Sequence, residues 1–324
     1  MNKLHDRLLH FKPYNNIVEW SKTAIIPGFR NLPLYTVASF FFYELRKEAI
    51  LNKASSLAYN FMLAIFPGII FLFTLIPYIP IENFQENLLK FLELVIPIEA
   101  FAAIKSTLED IIKNQNGGLL SFGFLLSTFF ATNGMTNLMK AFNKSSLTKE
   151  NRKWLKRRII ALLLYIAIII ALSVGIGIFA VIDFLVNYLK SNIHYDMSWL
   201  WTIILKIARW FILFLIYFVT IGIVYKYGPS KSRYWKIHSA GTFLATILAI
   251  LTFSIFSFYI NHFNSYNKLY GSISTIIVIM IWMYLNSLII LIGFELNTSI
   301  ALSKPQTGGY RKKINNEFKK YDID

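Results

Sequence analysis

The chain contains no cysteine. A disulfide framework, a thiolate nucleophile and a cysteine metal ligand are therefore excluded. Charge is also scarce: 15% of the 324 residues are Asp, Glu, Lys or Arg, against about a quarter in soluble domains. Acids are the rarer sign, 17 against 33 bases. The five histidines (His5, His10, His194, His238, His262) are scattered, with none in a metal-ligand spacing. There is no phosphate-binding glycine loop, no GxSxG and no close carboxylate pair inside an apolar run. These absences point away from hydrolysis and ATP-driven transport, and no metal or cofactor is expected. No internal repeat suggests an inverted-repeat transporter. The first 30 residues carry scattered charge and two prolines without a signal-peptide core, so the N-terminus reads as retained.

What the chain has is apolar length. It is 56% hydrophobic with mean hydropathy +0.50, and long apolar runs recur along it. The expected fold is all-α: a polytopic membrane protein with six transmembrane helices, an N-terminal interfacial helix and short amphipathic external helices. The spans are predicted at about 54–79, 118–140, 159–183, 198–225, 237–260 and 271–299. At a rise of about 1.5 Å per residue, each crosses a hydrocarbon core of about 30 Å. Pro67 removes a backbone donor inside the first span and predicts a kink. Residues 34–45 are apolar but too short to span, and read as the interfacial helix. Residues 81–116 read as two short amphipathic helices broken at Pro97. Three regions follow: an N-terminal segment 1–53, a transmembrane domain 54–302 and a flexible tail 303–324.

Lysine and arginine set the orientation. Residues 1–53 and 140–158 hold eight each, 226–236 hold four, and the tail holds six. The alternate loops hold only Lys90, Lys105, Lys113, Lys190 and Lys268. This loop-by-loop alternation predicts both termini on the cytoplasmic side of a bacterial inner membrane. It also accounts for the net charge of +16 without nucleic acid, since the basic loops lack the interleaved aromatics of a nucleic-acid reader.

Polar residues inside spans carry the functional signal, because hydrocarbon offers them no partner. Arg209 falls about 16 Å into the fourth predicted span, near the midplane. Lys206 shares its face. They read either as an anion or headgroup site, or as a structural ion pair or side chains snorkelling in a thinned bilayer. Glu295, near the end of the sixth span, reads as a coupling residue or as one half of a structural ion pair. Thr275, Trp282, Asn286, Gly293 and Asn297 follow spacings of seven and four, and so form one stripe. That stripe, like Asn133 and Asn137 on the second span, either lines a pathway or glues helices together. FNSYNKLYG, between the last two spans, sets Asn264, Tyr266, Asn267, Tyr270 and Gly271 at one mouth of the bundle. It reads as a binding mouth or as a turn with interfacial tyrosines.

Several of these stretches resemble the YihY/BrkB family. The resemblance lies in ASSLAYNFMLAIFP, in ATNGMTNLMKAFN, in the Arg209-Trp210 pair and in YKYGPSKSRYWKIHSAGTFLATI. It is most specific in FNSYNKLYGSISTIIVIMIWMYLNSLIILIGFELN. It covers about residues 35–302 and implies a six-helix bacterial inner-membrane protein. It also marks Arg209, Glu295, Asn264, Tyr266, Asn267, Tyr270 and Gly271 as family-typical, with Asn60 as a departure. Some members have been called ribonucleases, a label that implies a metal-dependent site for which these residues supply no ligands. A role in moving lipid or lipid-like solutes has been suggested for others. The function expected is therefore a transporter or translocator of lipid or another anionic, amphipathic solute. The alternative is a non-transporting envelope scaffold that binds through the acidic external helices. The expected partners are the phospholipid bilayer and that solute. The oligomeric state is left open.

Overall fold

A computed structural model describes residues 12–26, 28–29, 32–47, 49–79, 84–86, 88–89, 98–143, 150–192, 199–230, 236–262 and 272–303. Among them the regular elements are helices, with one isolated antiparallel bridge between Ile25 and Pro33. In chain order they are α1 (Lys12–Thr23), α2 (Leu34–Lys47), α3 (Ile50–Leu75), α4 (Ile98–Lys113), α5 (Gly117–Asn143), α6 (Trp154–Asn192), α7 (Trp199–Tyr227), α8 (Ala240–His262) and α9 (Ser272–Leu302). A 3-10 turn, Ile76–Tyr78, continues α3. Six helices, α3 and α5 to α9, are long and apolar enough to cross a membrane. A helix satisfies its own backbone, and that is why apolar runs of this length adopt it in lipid.

The six spans close into a ring. Each packs against two neighbours, in the order α3, α5, α6, α7, α8, α9 and back to α3. The most extensive contact is between α3 and α5. Lys140 lies at the end of α5, Lys226 at the end of α7, and Arg157 and Arg158 in the first turns of α6. The end of the ring that carries these charges is called the basic end below.

The boundaries differ from expectation in instructive ways. α3 starts at Ile50, after Ala49 adopts a left-handed conformation with φ 47°. α6 runs to Asn192, past the expected 183, because Asp183 and Asn187 do not break a helix. Pro67 is buried within α3, and helix continues on both sides of it. α4 starts at Ile98, directly after Pro97. The apolar segment 34–45 is helical, as α2, yet it packs on protein. Val37 joins Leu296 and Ile300 of α9 in one cluster, and Phe40 joins Leu302 in another.

One crossing sets how closely the ring can close. At the basic end, α8 and α9 meet at Gly241 and Gly293. A Cβ on either glycine would overlap the carbonyl oxygen of the other. On Gly293 it would also meet the Tyr225 hydroxyl and the Ala245 Cβ. Two polar contacts fix the same crossing: Gly241 N donates to Asn297 Oδ1 at 2.8 Å, and Asn297 Nδ2 donates to Ser239 Oγ at 2.8 Å. Gly293→Val is expected to lower stability by about 3 kcal/mol, the upper part of the overpacking range, read as a lower melting temperature in detergent. Gly177→Ala has no neighbour within 4 Å. It is expected to leave melting unchanged or raise it slightly, since Ala exceeds Gly in a helix by about 0.5–1 kcal/mol.

Candidate functional site: a bundle closed at one end

All six spans contribute to one apolar core, and that core lies toward the basic end. It joins Leu57 of α3, Phe142 of α5, Leu164 of α6, Tyr225 of α7, Ala245 of α8 and Phe294 of α9. At its centre three rings form a plug. Phe142 stacks on Phe294 at 4.1 Å between centroids, and Tyr225 meets both edge-on, at 5.8 and 5.7 Å. The Tyr225 hydroxyl donates to the Ile290 carbonyl at 2.7 Å, so the plug leaves its own polar atom satisfied.

Beneath the plug lies a polar clasp. Arg152 grips Glu150 with two bonds, Nε to Oε1 and Nη2 to Oε2, both 2.9 Å. Its backbone N–H donates to the same carboxylate at 3.0 Å. Nη2 also donates to the Gly228 carbonyl at 2.7 Å. Asn143, the last residue of α5, donates to Glu150 and accepts from Ser230 N at 2.8 Å. The α5–α6 connection is thereby tied to the turn between α7 and α8. The pair is well enclosed, with 9% of the Arg152 side chain and 17% of that of Glu150 exposed. Burial pushes the Glu150 carboxyl up. Hydrogen bonds from Arg152, with the charges of Arg152 and Arg157, outweigh it and hold the group below the ordinary carboxylate range.

Away from the basic end burial thins on three of the spans. α3 and α5 keep buried residues along their lengths, with Thr74 and Gly123 far from the plug. Among the described residues, α7 has none fully buried before Ile221, α8 none after Ala249, and α9 none before Ser287. The faces that carry the core residues show the gradient. Val224, Tyr217 and Trp210 stand seven apart on α7 and so share a face. Val224 is 5% exposed and in the core, Tyr217 packs on it half-buried, and Trp210 is 50% exposed. On α9, Phe294 and Ser287 are each 2% exposed, while Met280, seven residues further, is 44% exposed. Just above the plug, Thr220 Oγ1 and Ser287 Oγ are buried without a hydrogen-bond partner among the described residues. From the helix rise they lie about 8 and 10 Å from the level of Tyr225 and Phe294.

The residues singled out from sequence divide accordingly. Arg209 is exposed beside Trp210 in the open half, about 15 Å from the start of α7. It is on the face of Thr220, eleven residues or three turns away. Lys206 lies one turn before it. Asn297 and Gly293 serve the α8–α9 crossing. Trp282 packs on Phe253 and Phe256 of α8, and Asn286 donates to its own helix at the Trp282 carbonyl, 2.8 Å away. Asn133 accepts a hydrogen bond from Arg158 of α6, whose guanidinium lies 5.0 Å from the Phe129 ring centre. Asn137 is half-buried on α5, and Thr275 lies in the first turn of α9. Glu295 is buried on α9, and Glu44 is buried on α2. Asn264, Tyr266, Asn267, Tyr270 and Gly271 lie outside the described residues. Among the described residues no three His, Asp or Glu side chains are grouped so as to hold a metal ion.

The reading from sequence passed over the plug and the clasp. Phe142 and Tyr225 look like ordinary span residues, and only packing reveals their convergence. Asn143, Glu150 and Arg152 did carry a signal, an amide closing an apolar run just before an acid and a base, but it is a weak one.

A ring of six apolar helices long enough to cross a membrane, with its aromatic core toward one end, defines a polytopic membrane protein. The chain belongs to the family described as Virulence factor BrkB, whose model matches residues 41–317. It is similar to the ribonuclease-like protein YfkH of Bacillus subtilis, 32% identical over 76% of this chain and 88% of that protein. It is also similar to a UPF0761 membrane protein of Vibrio campbellii, 26% identical over 81% of this chain and 82% of the relative. Another UPF0761 membrane protein, from Tolumonas auensis, is 24% identical over 81% of this chain and 84% of the relative. No solved structure matches the chain.

The clasp makes a pH prediction. A carboxyl held low in the folded state contributes stability above its unfolded value, about 4.3. That stability is lost as pH falls through the lower folded value. Glu150→Gln is expected to lose about 1.5–3 kcal/mol at neutral pH, as for a hydrogen bond to a charged group. It is also expected to flatten the acid limb of the melting-temperature profile. An unchanged acid limb would separate Glu150 from the pH response.

Proposed function

We propose that this chain translocates lipid or another anionic amphiphile across the bacterial inner membrane, with the basic end facing the cytoplasm. The graded exposure along the inward faces of α7 and α9 supports this reading most directly, because a bundle closed at one end and open at the other has the form of one state of an alternating-access cycle. In this scheme the open half admits the solute. Arg209 attracts its anionic group, with a charge-assisted hydrogen bond to a phosphate or carboxylate, while Trp210 covers its apolar part. The unpartnered hydroxyls of Thr220 and Ser287 mark the path down to the plug. Passage requires Phe142, Tyr225 and Phe294 to separate and the Glu150–Arg152 clasp to release. The orientation follows the lysine and arginine distribution.

Reconstituted vesicles carrying a labelled anionic phospholipid test the proposal. Wild-type protein is expected to move label between leaflets faster than protein-free vesicles do. Arg209→Ala is expected to slow that movement at least tenfold while inserting and melting as wild type. Equal rates in the two proteins would remove Arg209 from the mechanism. No movement above empty vesicles would favour the scaffold reading, in which the external helix α4 is the binding surface.

A further inference from the structure

α1 has three faces, and only one is covered by protein. Val18 and Ser21 are buried against the protein. Asn15, Asn16, Glu19, Lys22 and Thr23 form a polar flank, with Lys22 paired to Glu19 at 2.7 Å. The third flank is apolar: Ile17 is 63% and Trp20 61% exposed, three residues apart on one side of the helix. Beyond the helix, Ile25 and Ile26 extend the exposed apolar surface.

The chain after α1 holds this surface at the basic end of the ring. Leu34 N donates to the Ala24 carbonyl at 2.9 Å, and Ile25 bridges Pro33, so the end of α1 is stitched to the start of α2. Phe29 is buried with Val37, Leu296 and Ile300, which docks the connection on the last turns of α9. Gly28, at φ 93°, brings it to Ala240, the first residue of α8. α8 starts and α9 stops at this level, so it is where the hydrocarbon gives way to headgroups. The apolar surface of the bundle reaches the same level through exposed Phe42 of α2 and Leu51 of α3.

We infer that α1 is a membrane-surface helix, with Ile17 and Trp20 inserted among lipid headgroups and upper acyl chains at the basic end. A helix of this kind carries its aromatic and aliphatic residues on one side and its charges on the other, and tryptophan favours the interface. The inference commits to lipid because the patch is continuous in level with the lipid-facing belt. It adds α1 to the interfacial surface beside α2, whose Phe42 is exposed. It is independent of what the bundle transports.

The cysteine-free chain makes the test direct. Single substitutions Ile17→Cys, Trp20→Cys, Asn16→Cys and Glu19→Cys are labelled with an environment-sensitive fluorophore in phosphatidylglycerol–phosphatidylethanolamine vesicles. Labels at 17 and 20 are expected to shift to the blue, to be quenched by lipids brominated near the headgroup, and to resist aqueous iodide. Labels at 16 and 19 are expected to show the reverse. Equal iodide quenching at all four positions would overturn the inference by placing α1 in water. Protection at 17 and 20 from both quenchers, with Ile17→Cys cross-linking between copies, would overturn it in favour of a second chain as the occupant. Melting and circular dichroism of each variant confirm that the labelled protein is folded.

Discussion

Hydrocarbon gives a polar group nothing to bond with, and this constraint governs where the chain can place its hydrogen bonds. Its answer is to gather them at one end. The Glu150–Arg152 pair, the two amides Asn143 and Asn297, and the turn at Gly228 to Ser230 all lie where the spans emerge. There Asn297 joins α9 to the start of α8, and the Glu150–Arg152 clasp joins the α5–α6 connection to the turn after α7. Above that layer packing is mainly aromatic and aliphatic, with the Arg158 to Asn133 bond as a polar exception, and on α7, α8 and α9 full burial stops partway along.

Glycine makes the layer possible. Without Gly241 and Gly293, α8 and α9 could not approach closely enough for Asn297 to reach Gly241 N or for Tyr225 to reach Ile290. The plug and the clasp are consequently one mechanical unit. Phe142 packs against Tyr225 and Phe294, and its neighbour Asn143 bonds to Glu150 and Ser230. Any movement that parts the rings also strains the amide beneath them. Packed cores of this kind have discrete arrangements and do not deform continuously.

Much of the fold was legible in the sequence. Apolar run lengths located the six spans, since the hydrophobic requirement of a membrane is coarse and local. Boundaries were less legible: nothing in the sequence marks Ala49 as the left-handed residue that starts α3, and Asp183 did not stop α6. The segment 34–45 shows the limit of composition. A short apolar helix looks the same whether it lies on lipid or on protein, and only the structure shows that Val37 and Phe40 pack on Leu296, Ile300 and Leu302 while Phe42 stays exposed. The site was half legible. Arg209 stood out because a cation inside an apolar run is costly. Phe142 and Tyr225 did not, because rings are common in such helices and convergence from three spans is a property of the ring's geometry.

The central claim is that the bundle is shut at the basic end and open at the other. Accessibility of single cysteines to a membrane-impermeant thiol reagent tests it most directly, applied from each side of a sealed vesicle to Trp210→Cys, Met280→Cys and Val224→Cys. The account predicts labelling of 210 and 280 from the side opposite the basic end and protection of 224 from both sides. Protection of all three positions, or labelling of 224 from the basic end, would contradict it.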